Sequence, residues 1–368
     1  MGNKYSEIFE TLRKEICDGK FKVQGSLPSE HALMRRFAVA RGTVRRAIDE
    51  LRKHNLLRSR QGAMSALSFR ARERAAGTFA MIMPDGYYPF YMRIGSGIEH
   101  AAKRGMFSVL SADLGSGGRT SCASRALDFA AVCVREKVSG VFFQPLQLER
   151  ESERVNKAIL SLFDSAGIPV VLLDSDIVPP PRRSNYDLVG VDNIAIGYEL
   201  GLHVIRRGAK RIIYFSNPYA APTSLLRGYG VSLAVTESGL KWRDENVFFA
   251  DPTDRGAAKR LFAGRKCPDA IVAVNDYVAS LLLKTLKGIG LRVPNDVLLA
   301  GVNGDPVAEE ADPPLTTMVQ PCERIGEAAV QLMLQRFADP DLPPRTIQFS
   351  AQLREDGSTR RGKRNCSR

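Results

Sequence analysis

Arg41, Thr43, Arg45 and Arg46 crowd the start of one amphipathic segment whose apolar positions are Val44, Ala47, Ile48 and Leu51. Guanidinium groups gathered at the first turn of a helix can bond both acceptors of a guanine edge or clasp phosphate oxygens. A second set of candidates lies further along the chain, where polar residues close apolar runs: Asp85, Gln144, Asp174, Asp192, Asn217, Asn275 and Asn303. In parallel α/β sheets ligands bind beyond the carboxyl ends of strands, so these are the positions that would grip a small polar molecule. Asp174 and Asp176 also raise the prospect of acid–base work by paired carboxylates. They are close neighbours on one strand end, with no nucleophile, histidine or phosphate-cradling glycine loop beside them, so no enzyme is expected.

The elements that must hold the first set are legible from spacing. Ile8, Phe9, Leu12 and Ile16 form one apolar stripe on a helix that Gly19 can terminate. In LPSEHALMRRF (27–37), Pro28 and Ser29 stand where a helix start wants a fixed φ and a capping oxygen, and Leu33, Met34 and Phe37 then face inward. Val39 and Ala40 make a tight connection to the third helix, in which Val44 is assigned to the core; this is helix-turn-helix spacing. LLRSRQGAMSALSF (56–69) alternates around Gln61 and Gly62 and reads as a β-hairpin with basic residues at its tip, a wing. Arg35, Arg36 and Arg58 are equally open to a phosphate contact or a solvated surface.

Charge is distributed to match. Residues 1–75 hold 17 basic and 8 acidic side chains and residues 354–368 hold 6 and 2, whereas 76–353 are balanced at 30 and 30. A neutral body with a basic head is the footprint of one domain that meets a polyanion and another that does not. No apolar run approaches the roughly 20 residues of a membrane helix, and no secretory signal opens the chain. The cysteines at 17, 122, 133, 267, 322 and 366 show no CxxC pairing, and with 4 histidines no metal cluster or cofactor is expected. Reduced thiols and a cytoplasmic location follow.

After a charged connector at 69–77 (FRARERAAG), strand-like runs alternate with helical stretches: FAMIM, VLSA, GVFFQP, PVVLLD, LVGVD, RIIYF, VFFA, AIVAVN and VLLAGVN. Buried, non-alternating strands in regular βαβ order predict parallel sheets covered on both faces. About 280 residues of this kind favour two similar lobes around a cleft.

The head resembles the GntR family of bacterial DNA-binding domains in its LPSEH and ARGTVRRAI strings and its glycine-bearing wing. The resemblance implies that Arg41 and Arg45 read bases or adjacent phosphates, that Gly42 and Thr43 approach the backbone, that Arg46 and Ser29 lie at the same surface, and that Arg60 and Gly62 serve the wing. His31 stands where the family usually has an arginine and Ala40 where it has serine, which implies an altered operator preference. The body, 78–355, resembles the effector domain of the LacI/GalR repressors, itself similar to type I periplasmic binding proteins. It does so through PFYMRIGSGIEHAAKRG, VDNIAIGYELGLHVIRRGAKRIIYF, LLRGYGVSLAVTESGL, PDAIVAVNDYVA and GIGLRVPNDVLLAGVN followed by PPLTTMVQP. That resemblance implies ligand roles for Phe90 by stacking, Asp174 as acceptor and Asn275 as donor and acceptor. Leu225 replaces the usual clamping arginine and Asn303 the usual aspartate, and the neighbouring Arg227 is either structural or a partial replacement. Asp192 and Asn193 are assigned to helix capping rather than to ligand.

The resulting expectation is an α/β protein: a winged helix-turn-helix at 1–68, a linker at 69–77, a two-lobed periplasmic-binding-protein-like domain at 78–355 and a disordered basic tail at 356–368. GntR heads and LacI-like bodies combine in arabinose-type repressors. The resemblance therefore implies a ligand-responsive transcription regulator, a repressor, that binds double-stranded operator DNA as a homodimer and a carbohydrate in its cleft, with no membrane partner. The alternative is a sugar-binding protein of a transport system.

Overall fold

The computed structural model describes residues 4–17, 27–53, 56–58, 66–67, 77–83, 89–112, 114, 121–147, 152–218, 221–263 and 267–361. In the head, α1 (Lys4–Cys17), α2 (Glu30–Phe37) and α3 (Arg41–Lys53) precede a short antiparallel pair, β1 (Leu57–Arg58) and β2 (Ala66–Leu67), registered Leu57 to Leu67. Ile8, Leu12 and Ile16 of α1 bury against Leu33, Val44, Ala47, Ile48 and Leu51, with Met34 and Phe37 partly buried at the edge of this core. Each buried Leu or Ile contributes about 1.5–3 kcal/mol. Ser29 caps α2 by accepting from the Ala32 amide at 3.2 Å. The turn into α3 passes through Ala38 in the left-handed region, φ 50°, its N–H donating to the Met34 carbonyl. The wing tip, the proposed linker apart from Gly77, and residues 362–368 lie outside the described residues.

The body is two lobes. The first sheet is wholly parallel in the order β13-β7-β6-β5-β3-β4, built from β3 (Thr78–Ile82), β4 (Ser108–Ser111), β5 (Gly140–Phe143), β6 (Val170–Leu173), β7 (Asp187–Val191) and β13 (Thr346–Phe349). The second runs β14-β12-β11-β10-β8-β9, from β8 (Ile212–Ser216), β9 (Val247–Phe249), β10 (Ala270–Ala273), β11 (Leu298–Asn303), β12 (Thr316–Val319) and the antiparallel edge strand β14 (Gln352–Arg354). The chain passes between lobes after β7, after β12 and after β13. All nine runs read from the sequence are strands; β12, β13 and β14 are additional.

Each lobe is closed by a helix pair that meets through glycine. In the first, α4 (Pro89–Arg104) packs on α12 (Cys322–Ala338): a Cβ on Gly97 would lie 2.2 Å from the Glu323 carbonyl and one on Gly326 2.3 Å from that of Ile94. In the second, α7 (Asn193–Arg206) packs on α8 (Pro222–Glu237): a Cβ on Gly197 would lie 1.9 Å from the Arg227 carbonyl and one on Gly230 2.0 Å from that of Ile194. Backbone contact at this distance holds the helix axes closer than side chains would allow.

Two buried polar anchors hold the crossings. Asp187 at the start of β7 accepts from Arg336 of α12 at 2.9–3.0 Å and from the Arg345 amide at 2.8 Å. At the far end of the second lobe, Ser358 donates to the Leu299 carbonyl and accepts from the Thr316 amide, while Thr359 bonds Thr316 and the buried His203. This corrects the expected tail: residues 356–361 belong to the folded body, because their hydroxyls fill hydrogen-bond vacancies beneath β11 and β12 that net charge cannot reveal.

Candidate nucleic-acid interface and ligand cleft

Arg41 and Arg45 project from the same side of α3, their side chains 64% and 59% exposed. Four residues apart on a helix, they share one partner: Glu30 accepts from Arg41 Nε at 2.7 Å and from Arg45 Nε at 3.2 Å. The Arg41 hydrogen bond, joined by the Arg45 bond and charge, holds the Glu30 carboxyl below its usual range. Gly42 between them faces open space, since a Cβ there would meet nothing within 4 Å. Thr43 is half-buried, while Ser29 and His31 are exposed at the adjoining edge of α2. The structure thus brings Ser29, His31, Arg41, Gly42, Thr43 and Arg45 to one end of the helix-turn-helix. Arg46 instead stacks over the Tyr5 ring of α1 at 4.4 Å, and Arg36 forks onto Glu15 while covering Phe37, so both also hold the head together. Val44 is fully buried, as expected. Arg60 and Gly62 lie outside the described residues.

The second site lies where the strand ends of the two lobes face each other. Asp174 follows β6 in a left-handed conformation, φ 62°, with its Oδ1 buried and without a hydrogen bond. Burial raises its pKa, offset in part by the charge of Arg227 from the opposite lobe and by the adjacent Gln144. Gln144, fully buried beyond β5, leaves both amide atoms unpartnered. Ser216 Oγ, Asn217 Oδ1, Asp305 Oδ1 and Gln320 Oε1 are likewise orphaned at the ends of β8, β11 and β12. Buried polar groups are nearly always paired, so such a concentration marks a place that completes its bonds with something else. Between Asp174, Asp176 and Gly190 on one side and Asn193, Leu226 and Tyr229 on the other, the lobes enclose a cavity of about 640 Å³, within the range of small-molecule sites.

Several expected ligand residues are already engaged. Arg227 is buried, donating from Nε to Asn193 Oδ1 at 2.8 Å and from Nη1 to the Val274 carbonyl at 2.8 Å, an arrangement that ties α8 to α7 and β10. Asn275 caps α10 (Asp276–Gly288) by accepting from the Val278 amide at 2.8 Å. Asn303, at φ 122°, donates to Asp305 at 3.0 Å and accepts from Gln320 at 2.9 Å, so both ends of its amide are used. Phe90 is buried in the core against the edge of Tyr91. Asp192 caps α7 through the Ala195 amide, as expected, and Leu225 is exposed.

Sequence reasoning passed over Ser216, Asp305, Gln320 and Arg93. Arg93 of α4 donates to Glu323 at 3.1 Å, to the Gln320 carbonyl at 3.3 Å and to the Gly304 carbonyl at 3.5 Å, joining the first lobe to the crossing after β12 and to the loop after β11. Asp276 is fully buried; its Oδ2 accepts the Asp305 amide at 2.9 Å, and burial pushes its pKa up to about 7. The one available signal for Asp305 and Gln320 was their place just past a strand end.

Comparison with known proteins agrees with this geometry. Residues 4–64 match the family described as bacterial regulatory proteins, gntR family, and residues 202–359 match the periplasmic binding protein-like domain. The chain is 28% identical to the HTH-type transcriptional regulator CelR of Thermobifida fusca, over 73% of this chain and 76% of the relative. It is 27% identical to the ribose operon repressor of Escherichia coli K12, over 80% and 86%. Among solved structures, a transcriptional regulator CelR-cellobiose complex superimposes with a TM-score of 0.65 at 23% identity, covering 92% of this chain and 94% of that one, a likeness of fold. The protein is a ligand-responsive bacterial transcription regulator. Within that class it joins a head matched by the gntR family to a body whose residues 202–359 match the periplasmic binding protein-like domain. The transport alternative is set aside, since the relatives are regulators and the head is a DNA-binding module. Among the described residues no helix is long and apolar enough to cross a membrane.

Proposed function

We propose that the protein is a repressor of the cytoplasm that grips double-stranded operator DNA as a homodimer and releases or tightens that grip when a carbohydrate fills the inter-lobe cleft. The observation that carries this reading is the pairing of two exposed arginines at the first turns of α3 with a body whose buried strand ends keep unsatisfied polar atoms. Arg41 and Arg45 read base edges or phosphates, Gly42 and Thr43 admit the DNA backbone, Ser29, His31 and Arg46 flank them, and Arg60 and Gly62 serve the wing, within a head of 1–68 joined by 69–77 to the body. Asp174 is the principal ligand acceptor; Asn275, Asn303, Arg227 and Phe90 shape the cleft around it.

A two-fold dimer requires a near-palindromic operator with half-sites spaced by whole helical turns. Relatives named for cellobiose and for the ribose operon support a carbohydrate effector, and the same relatives, regulators rather than catalysts, support a purely binding role. Ligand acts only by binding one lobe arrangement better than the other. Gel-shift titration of the full chain against its upstream DNA, with and without sugars, tests the reading together with sedimentation for the dimer. Binding indifferent to salt, to Arg41→Ala and to every sugar would remove it.

A further inference from the structure

We infer that the inner end of the cleft selects an effector that is rich in hydrogen-bond donors and carries no anionic group there: an unphosphorylated, uncarboxylated polyol or sugar. The inference rests on the carbohydrate reading above and narrows it by charge.

The orphaned atoms are unbalanced in kind. Asp174 Oδ1, Asp305 Oδ1, Gln320 Oε1 and Gln144 Oε1 are acceptors, against Gln144 Nε2 as a donor and the Ser216 hydroxyl, which serves as either. All belong to residues that are nine-tenths or more buried; Asp174 lines the cavity itself, and the others stand at the carboxyl ends of β5, β8, β11 and β12. A ligand that completes them must bring O–H or N–H groups. An alcohol does so without cost in charge, and its donation to a carboxylate makes one of the stronger hydrogen bonds available.

An anion meets the opposite conditions. Asp174 follows β6 of the first lobe and Asp305 follows β11 of the second, both buried, so a phosphate or carboxylate held between the lobes would share a poorly hydrated space with carboxyl groups. Burial already disfavours ionisation of each, and a further negative charge adds to that penalty. The nearby guanidiniums are committed elsewhere: Arg227 to Asn193 and Val274, Arg93 to Glu323, Gln320 and Gly304. Of the two arginines that line the cavity, Arg183 is held by Asp176 and Arg182 is exposed, where its charge is screened.

The test is calorimetric titration of the full chain with matched sets: D-glucose, glucose 6-phosphate and gluconate; D-ribose and ribose 5-phosphate; cellobiose and cellobionate. In any set that binds, the uncharged member is expected to have at least a tenfold lower Kd than its anionic counterparts. An anionic member that binds as tightly or more tightly overturns the inference and leaves the carbohydrate reading standing. Silence of every set at millimolar concentration overturns the carbohydrate reading itself, and this inference with it. Asp174→Asn keeps the side-chain volume, and asparagine tolerates the left-handed backbone. It is expected to weaken the uncharged sugar at least fivefold and to narrow the gap to its anionic partner. A gap that stays the same in a variant with wild-type melting removes Asp174 as its cause and counts against the inference; the wild-type sets do not depend on the variant folding.

Discussion

The two recognition surfaces of this protein use polar groups in opposite ways. On α3 the arginines are exposed, share an acidic neighbour and flank a glycine with nothing beside it, so the surface tolerates change and owes its strength to charge. Between the lobes the polar groups are buried and held by specific bonds, or left waiting for them, so one altered atom is felt through the whole body. The first arrangement suits the proposed polyanion with its regularly spaced charges, and the second suits the small uncharged molecule inferred above.

Breaking the interior should have the largest effects. Asp187→Ala leaves the half-buried Arg336 without its counter-charge and is expected to cost about 3 kcal/mol, read as a lowered urea midpoint of the body. Gly230→Val places a side chain against the Ile194 carbonyl, forces α7 and α8 apart and is expected to cost about 1–3 kcal/mol or more by the same measurement. If either variant unfolds like the wild type, the body is more forgiving than its close contacts imply.

On the head, Arg41→Ala is expected to cost about 1–3 kcal/mol in operator affinity and to reduce the slope of log K against log salt by about 1, with no change in melting. A large loss of stability would mean that this arginine is structural after all. Burial holds the His203 pKa below its ordinary 6.5, so the folded protein prefers the neutral ring. Its contribution is therefore present above pH 6.5 and declines as the pH falls below that value, by at most about 1.4 kcal/mol per pH unit. Chemical denaturation between pH 7 and pH 5 should show this decline, and His203→Gln should flatten it. The smallest effect sharpens the comparison most: Gly42→Ala should stabilise the isolated turn of α3 by up to about 1 kcal/mol yet weaken DNA binding, separating fold from contact in one methyl group.

The sequence was most legible where period and burial coincide. The α3 stripe of Val44, Ala47, Ile48 and Leu51 and the nine apolar runs of the body all stand where their patterns put them. Strand β12 escaped because it opens with Thr316 and Thr317, which are fully buried because hydroxyl and backbone partners from other segments meet them. Strand β13 alternates half-buried and exposed residues at a sheet edge, and β14 is three residues long, too short for any period. Within the cleft, residue type named Asp174, Gln144 and Asn217, but whether an amide faces a ligand or caps a helix depends on contacts made across the fold. Asn275 and Arg227 were therefore identified without their engagements, and Gln320 was missed because its bond to Asn303 joins residues 17 positions apart.

Glu30 gives the head an internal rival for every polyanion it meets. Each arginine gives that carboxylate only its Nε in an exposed pair worth about 0–1 kcal/mol, so a phosphate could take the remaining guanidinium donors but would share the charge with Glu30. On the proposed reading, a site that also supplies well-placed base edges would be held longer than one that offers phosphates alone.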